Sequence, residues 1–126
     1  MKVFTSYYDR VPVIEKDAYT LVRVSRKEPP EWFCSEYSHV DLSAAFGPSA
    51  AMLEECHPLE NWEAFEPRYK NEILGVLDKT EILKDFERIC SENGGKPLLL
   101  LCYETSEQNC HRYLIGEYLG IESTEI

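Results

Sequence analysis

The longest uninterrupted apolar run is Leu98-Leu99-Leu100-Leu101-Cys102, set between Pro97 and Tyr103-Glu104. A short run without polar alternation predicts a central strand buried on both faces, the pattern of a parallel sheet. Leucine also suits a helix, but Pro97 and the brevity of the run favour strand. Two β-prone segments come earlier: residues 2–6 (Lys-Val-Phe-Thr-Ser) and residues 19–25 (Tyr-Thr-Leu-Val-Arg-Val-Ser). Tyr7 to Arg10 reads as a polar-aromatic loop after the first. Pro29-Pro30 predicts an irregular, non-helical segment through Trp32, Phe33 and Tyr37.

Helical spacing dominates the rest. Gly47-Pro48-Ser49 opens a short helix through about Cys56, with Pro48 near its first position. Tyr69, Ile73, Val76 and Leu77 predict a helix over 68–77, beginning after Pro67. Asp78 and Glu81 form a capping-box pattern ahead of Ile82, Leu83, Phe86, Ile89 and Cys90, which share one face. Gly94-Gly95 stops that helix. A last helix runs from Cys110 to Leu119, with Leu114, Ile115, Tyr118 and Leu119 inward and Gly120 at its end. The order predicts an α/β fold: a small, mostly parallel sheet with helices on both faces, a Rossmann-like three-layer arrangement in one domain over 1–126.

Charge narrows the function. The chain has 13 Lys+Arg against 23 Asp+Glu, a net charge of −10. Such a surface repels phosphate backbones, so nucleic acid is a disfavoured partner. The acidic pieces at Glu54-Glu55, Glu60 to Glu66 and Glu122 to Glu125 read as solvated surface. No apolar stretch approaches the ~20 residues of a membrane span, and none follows Met1 as a secretory leader would. Five cysteines, an odd number, point to free thiols in a reducing, cytoplasmic setting. Neither a GxGxxG nor a GxxxxGK[ST] loop occurs, so no dinucleotide or Walker-type cofactor is expected.

The candidate chemistry lies at one edge. In open parallel sheets, ligands bind beyond the carboxyl ends of the strands. There the last long strand ends in Cys102-Tyr103-Glu104 and the next helix begins with Cys110-His111-Arg112. Strand alternation sends Cys102 and Glu104 to one face and Tyr103 to the other. A helix N-terminus lowers the pKa of a thiol such as Cys110, and His111 shares the inward face of Leu114 and Ile115. Arg112 opposes the helix dipole by about 0.3–1 kcal/mol, so Glu104 or a bound anion should compensate. Ser6 and Tyr7 follow the first strand and Arg26 the second, and they join Tyr103 and Arg112 as ligand-binding candidates. Structural readings stand beside these: Cys102 as a small core residue, His111 bonded to a carbonyl, Arg112–Glu104 as an ion pair, or a Cys102–Cys110 disulfide. The spacing is not that of a zinc finger, and no metal is expected.

The strand ending in Cys102-Tyr103-Glu104, followed by Cys110-His111-Arg112, resembles the signature of the domain of unknown function 488 family. Val3 to Tyr7, Pro29, Leu42 to Pro48, Tyr69 with Glu72-Ile73-Leu74, and the helix after Asp78 fall in matching order. The resemblance implies a small cytoplasmic α/β protein and brings no established activity. Many relatives carry Asp-Val-Arg at the end of the second strand. This chain has Arg23-Val24-Ser25 there, with Arg26 only a partial substitute. Two functions are therefore expected. One is an enzyme that hydrolyses or transfers groups on a nucleotide-like or other anionic small molecule, using Cys102, Glu104, Cys110 and His111. The other is a non-catalytic module that binds an anion, a nucleotide or a protein.

Overall fold

A computed structural model describes residues 1–126. Its strands are β1 (Lys2–Tyr7), β2 (Thr20–Arg23), β3 (Val40–Asp41), β4 (Leu98–Cys102) and β5 (Glu122–Glu125). They form one sheet in the order β3-β2-β4-β1-β5, and every pairing is parallel. β4 lies at the centre and all five of its residues are buried, as the apolar run requires. The helices are α1 (Glu31–Glu36), α2 (Ser43–Phe46), α3 (Ala50–Glu55), α4 (Trp62–Glu72), α5 (Lys79–Glu92) and α6 (Arg112–Leu119). No helix is long and apolar enough to cross a membrane.

The three layers are unequal. On one face Leu98, Leu100 and Cys102 of β4 meet Phe46, Phe65, Tyr69, Phe86, Ile115 and Leu119 from the larger helical layer. On the other, Leu99 and Leu101 meet Tyr8, Val11 and Phe33, contributed by a 3-10 turn over Tyr8–Val13 and by α1. Helices thus cover both faces, but the second layer is thin.

Two proline arguments need correction. α1 forms directly after Pro29-Pro30 because Pro30 is its N-cap, where no backbone N–H is needed. α4 begins at Trp62, not after Pro67. The Asn61 side chain accepts a hydrogen bond from Ala64 N, and Pro67 lies inside the helix. One lost hydrogen bond is outweighed there by Phe65 and Tyr69, both fully buried on either side of the proline. The predicted 68–77 helix also ends early, at Glu72, with a 3-10 turn over Leu74–Val76. The Asp78 cap is as expected, its carboxylate accepting from Glu81 N at 3.2 Å. Gly94 and Gly95 stop α5 at φ of 74° and 77°, which side-chain-bearing residues rarely adopt.

β2 and β4 are neighbours, yet their chains leave in opposite senses. From β2 the chain turns to α1 on the thin face, and from β4 to α6 on the thick face. Divergence of this kind opens a crevice at the carboxyl edge between the two strands.

Candidate active site

That crevice is a hollow of ≈ 360 Å³. Ser25, Arg26 and Lys27 enter it from the end of β2, and Tyr103, Glu104 and Gln108 from the end of β4. Leu53, His57, Pro58 and Leu59, around the end of α3, close the far wall. His111 forms part of the floor. Lys27 Nζ sits 5.1 Å above the Tyr103 ring, whose hydroxyl donates to Glu28 O.

At and beneath the floor four side chains touch in sequence. Glu104 Oε2 is 3.3 Å from Cys110 Sγ. Cys110 Sγ is 3.8 Å from His111 Nδ1, and His111 Nε2 is 3.5 Å from Cys102 Sγ. His111 Nε2 also lies 2.8 Å from Val24 O, and since a carbonyl only accepts, that nitrogen carries a proton. The bond ties the start of α6 to the exit of β2. Tyr69 packs against the imidazole at 5.2 Å between ring centroids, its hydroxyl held by Phe46 O at 2.7 Å. Arg68, by contrast, lies outside on α4, paired with Glu55 and Glu72.

These contacts set the charges. Burial pushes the Cys110 thiol up, but the hydrogen bond from Cys102 and the nearby charges of His111 and Arg112 outweigh it, leaving the thiol well below its usual range. Burial alone would discharge His111; the Cys110 thiolate and the Val24 carbonyl hold its pKa above the ordinary histidine value. Burial and the adjacent Cys110 charge raise the Glu104 carboxyl to about 7. Cys102, sealed in the core beside that same charge, is pushed well above a normal thiol. The cluster therefore sets a thiol shifted down and an imidazole shifted up against a second thiol shifted up and a carboxyl titrating near 7.

Arg112 departs from its expected role. It is wholly enclosed, and its compensating carboxylate comes from Glu125, not from the Glu104 side chain. Nε and Nη2 meet the two Glu125 oxygens at 3.2 and 2.8 Å, while Nη1 donates to Glu104 O at 2.7 Å and Nη2 to Tyr113 Oη at 2.8 Å. It cannot receive a ligand from the hollow; it fixes the backbone of Glu104 and supplies positive charge felt at Cys110. Ser6 is likewise turned away, donating to Ile126 O, and Tyr7 lies outside the hollow because β1 is on the far side of β4. Of the expected group, Cys102, Glu104, Cys110 and His111 come together, with Tyr103 and Arg26 on the rim.

Sequence reasoning missed Glu125, read as part of a solvated acidic stretch, and the contributions of Lys27 and His57. The unbalanced Arg112 was the available signal for a buried carboxylate. No disulfide joins Cys102 and Cys110; all five cysteines are free. Cys102, Cys110 and His111 present donor atoms within 4.8 Å of one another, a set able to hold a thiophilic cation with Glu104 as the adjacent fourth donor.

Residues 14–122 match DUF488-N3a, described as the active DUF488-N3 subclade. The chain belongs to this family. No curated protein and no solved structure is significantly similar to it. In this DUF488-N3a member, both halves of the Cys-Tyr-Glu and Cys-His-Arg signature fall within the matched residues, and both contribute to the buried cluster.

Proposed function

We propose that this protein is a small enzyme that hydrolyses, or transfers a group from, a compact anionic molecule of nucleotide-like character. The observation that carries the reading is Glu104, a carboxyl titrating near 7 that lines the hollow together with Arg26 and Lys27, 3.3 Å from the buried Cys110 sulfur. Arg26, Lys27 and His57 would seat the anion, and the Leu53–Pro58–Leu59 wall would take an apolar ring. Glu104 donates its proton to the leaving group, and the resulting carboxylate activates water. In the transfer variant Cys110 is the nucleophile, reached once the substrate displaces the Glu104 carboxyl that now covers it. His111, in the floor of the hollow, and Arg112, sealed away from substrate, stabilise negative charge on Cys110. The description of the subclade as active is consistent with catalysis.

The test is a thermal-shift screen of nucleoside monophosphates, sugar phosphates and neutral nucleosides at fixed ionic strength, followed by product chromatography on those that bind. Anionic compounds should raise Tm, and Lys27→Ala with Arg26→Ala should remove the shift. Glu104→Gln should keep the shift and lose turnover. Retention of full turnover by Glu104→Gln refutes the assignment. The complete burial of both thiols and the internal pairing of Arg112 favour a second reading, a non-catalytic anion sensor. Saturable binding without product formation would select it.

A further inference from the structure

Cys102 has no part in that mechanism, yet it stands beside Cys110. The donor atoms of Cys102, Cys110 and His111 lie within 4.8 Å of one another, and both sulfurs are free. The two thiols are unequal by position. Cys110 Sγ donates to Glu104 Oε2 at 3.3 Å, on a residue that lines the hollow, and faces His111 Nδ1, while Cys102 ends a strand buried on both sides. A thiol hydrogen-bonded to a carboxyl that can take its proton, next to a second free thiol, is the pairing that thiol–disulfide chemistry uses. The loop between them, residues 103–109, is mostly exposed. It is the part of the fold able to yield as the sulfurs close to the ~2 Å of a disulfide.

We propose that Cys110 and Cys102 form a peroxide-reactive dithiol, with Cys110 attacking and Cys102 resolving. The Cys110 thiol passes its proton to Glu104 Oε2, 3.3 Å away, and its sulfur attacks the terminal oxygen of a hydroperoxide; an S–O bond forms and the O–O bond breaks. The departing alkoxide takes the Glu104 proton and leaves as an alcohol, or as water from hydrogen peroxide. Cys110 is then a sulfenic acid. The Cys102 sulfur attacks it; an S–S bond forms, the S–O bond breaks, and hydroxide leaves with the Cys102 proton as water. One hydroperoxide is reduced and two thiols become a disulfide, which an added small-molecule thiol reopens. The reaction shares Cys110 and Glu104 with the proposed function but needs no anionic substrate, so either can fail while the other stands.

The chain supplies its own control in Cys34, which is exposed. Exposure favours oxidation of Cys34, whereas the adjoining proton acceptor Glu104 favours Cys110. The full chain, in chelator-containing buffer, is treated with equimolar hydrogen peroxide and its thiols are titrated in denaturant. The count should fall from five to three. Cleavage after glutamate separates Cys102 (residues 93–104) from Cys110 (residues 108–117), so mass spectrometry should find those peptides linked until a reductant is added. In Cys102→Ser, dimedone should label Cys110 and the linked peptide should vanish. Cys102→Ala serves if the serine does not fold. Oxidation of Cys34 first, absence of the linked peptide, or five thiols still titrating in tenfold excess peroxide would each overturn the proposal.

Discussion

Glu125→Gln tests whether the guanidinium below the site depends on its carboxylate. Arg112 has no exposed surface, and two of its four hydrogen bonds end on Glu125. Glutamine keeps one oxygen acceptor and the shape, but it removes the countercharge and one charge-assisted hydrogen bond. Such a bond contributes about 1.5–3 kcal/mol, and breaking a buried ion pair from one side costs about 3–5 kcal/mol. The Glu125 side chain keeps 21% exposure, so water can replace part of what is lost. The low end, about 3 kcal/mol, is the expected destabilisation. For a domain of this size that lowers Tm by roughly 10 °C. In urea it lowers the midpoint by roughly 2 M at a slope of about 1.5 kcal/mol per M. Equilibrium unfolding with coincident fluorescence and circular-dichroism transitions measures it. Arg112→Met in the Glu125→Gln background should recover part of the loss, because the stranded charge is gone. A loss below about 1 kcal/mol, in the range of an exposed pair, would refute the claim that this pair is what allows Arg112 to be buried.

Three further outcomes follow from the geometry. Above the ordinary carboxylate value of 4.5 the unfolded chain releases the Glu104 proton while the folded chain keeps it to about 7, so this group makes stability fall as pH rises across that window. Glu104→Gln should therefore gain stability relative to the parent between pH 4.5 and 7, and parallel urea curves that keep the same spacing at every pH would contradict it. Cys110→Ser should remain folded and remove, from the parent's ultraviolet pH titration, a thiolate that forms below the usual thiol range; superimposable titrations of parent and variant would contradict the lowered Cys110 pKa. Gly116→Ala places a Cβ 2.5 Å from Ser123 Cβ, forcing α6 away from β5, and should cost about 1–3 kcal/mol in denaturant unfolding.

How much of this was legible in the sequence depends on how local each signal was. The buried β4, the Asp78 cap and the paired glycines after α5 are dictated by a few adjacent residues, and each is found where the pattern put it. The gathering of Glu104, Cys110 and His111 followed from strand direction and loop length alone. What was hidden came from distant partners. β3 has only two residues and β5 is polar, so neither shows an apolar pattern; both exist because a neighbouring strand offers a ladder. Glu125 looked solvated because its partner lies 13 positions back, on another element. Pro67 was read as a break because local geometry says so, and the burial of Phe65 and Tyr69 overrides it.

The placement of β4 has a bearing on synthesis. Phe4 pairs with Leu99 and Thr20 with Leu98, so β1 and β2 both wait for β4, and only the two-residue ladder of β2 with β3 is available earlier. Until residue 98 has left the ribosomal tunnel, the emerging polypeptide has almost no sheet to assemble. Val3, Val22 and Val24, enclosed in the finished molecule, stay wet throughout that interval. Long-range closure of this kind makes folding slow and late. A nascent chain stalled before Leu98 should be protease-sensitive along its whole emerged length, and it is the species most in need of a chaperone.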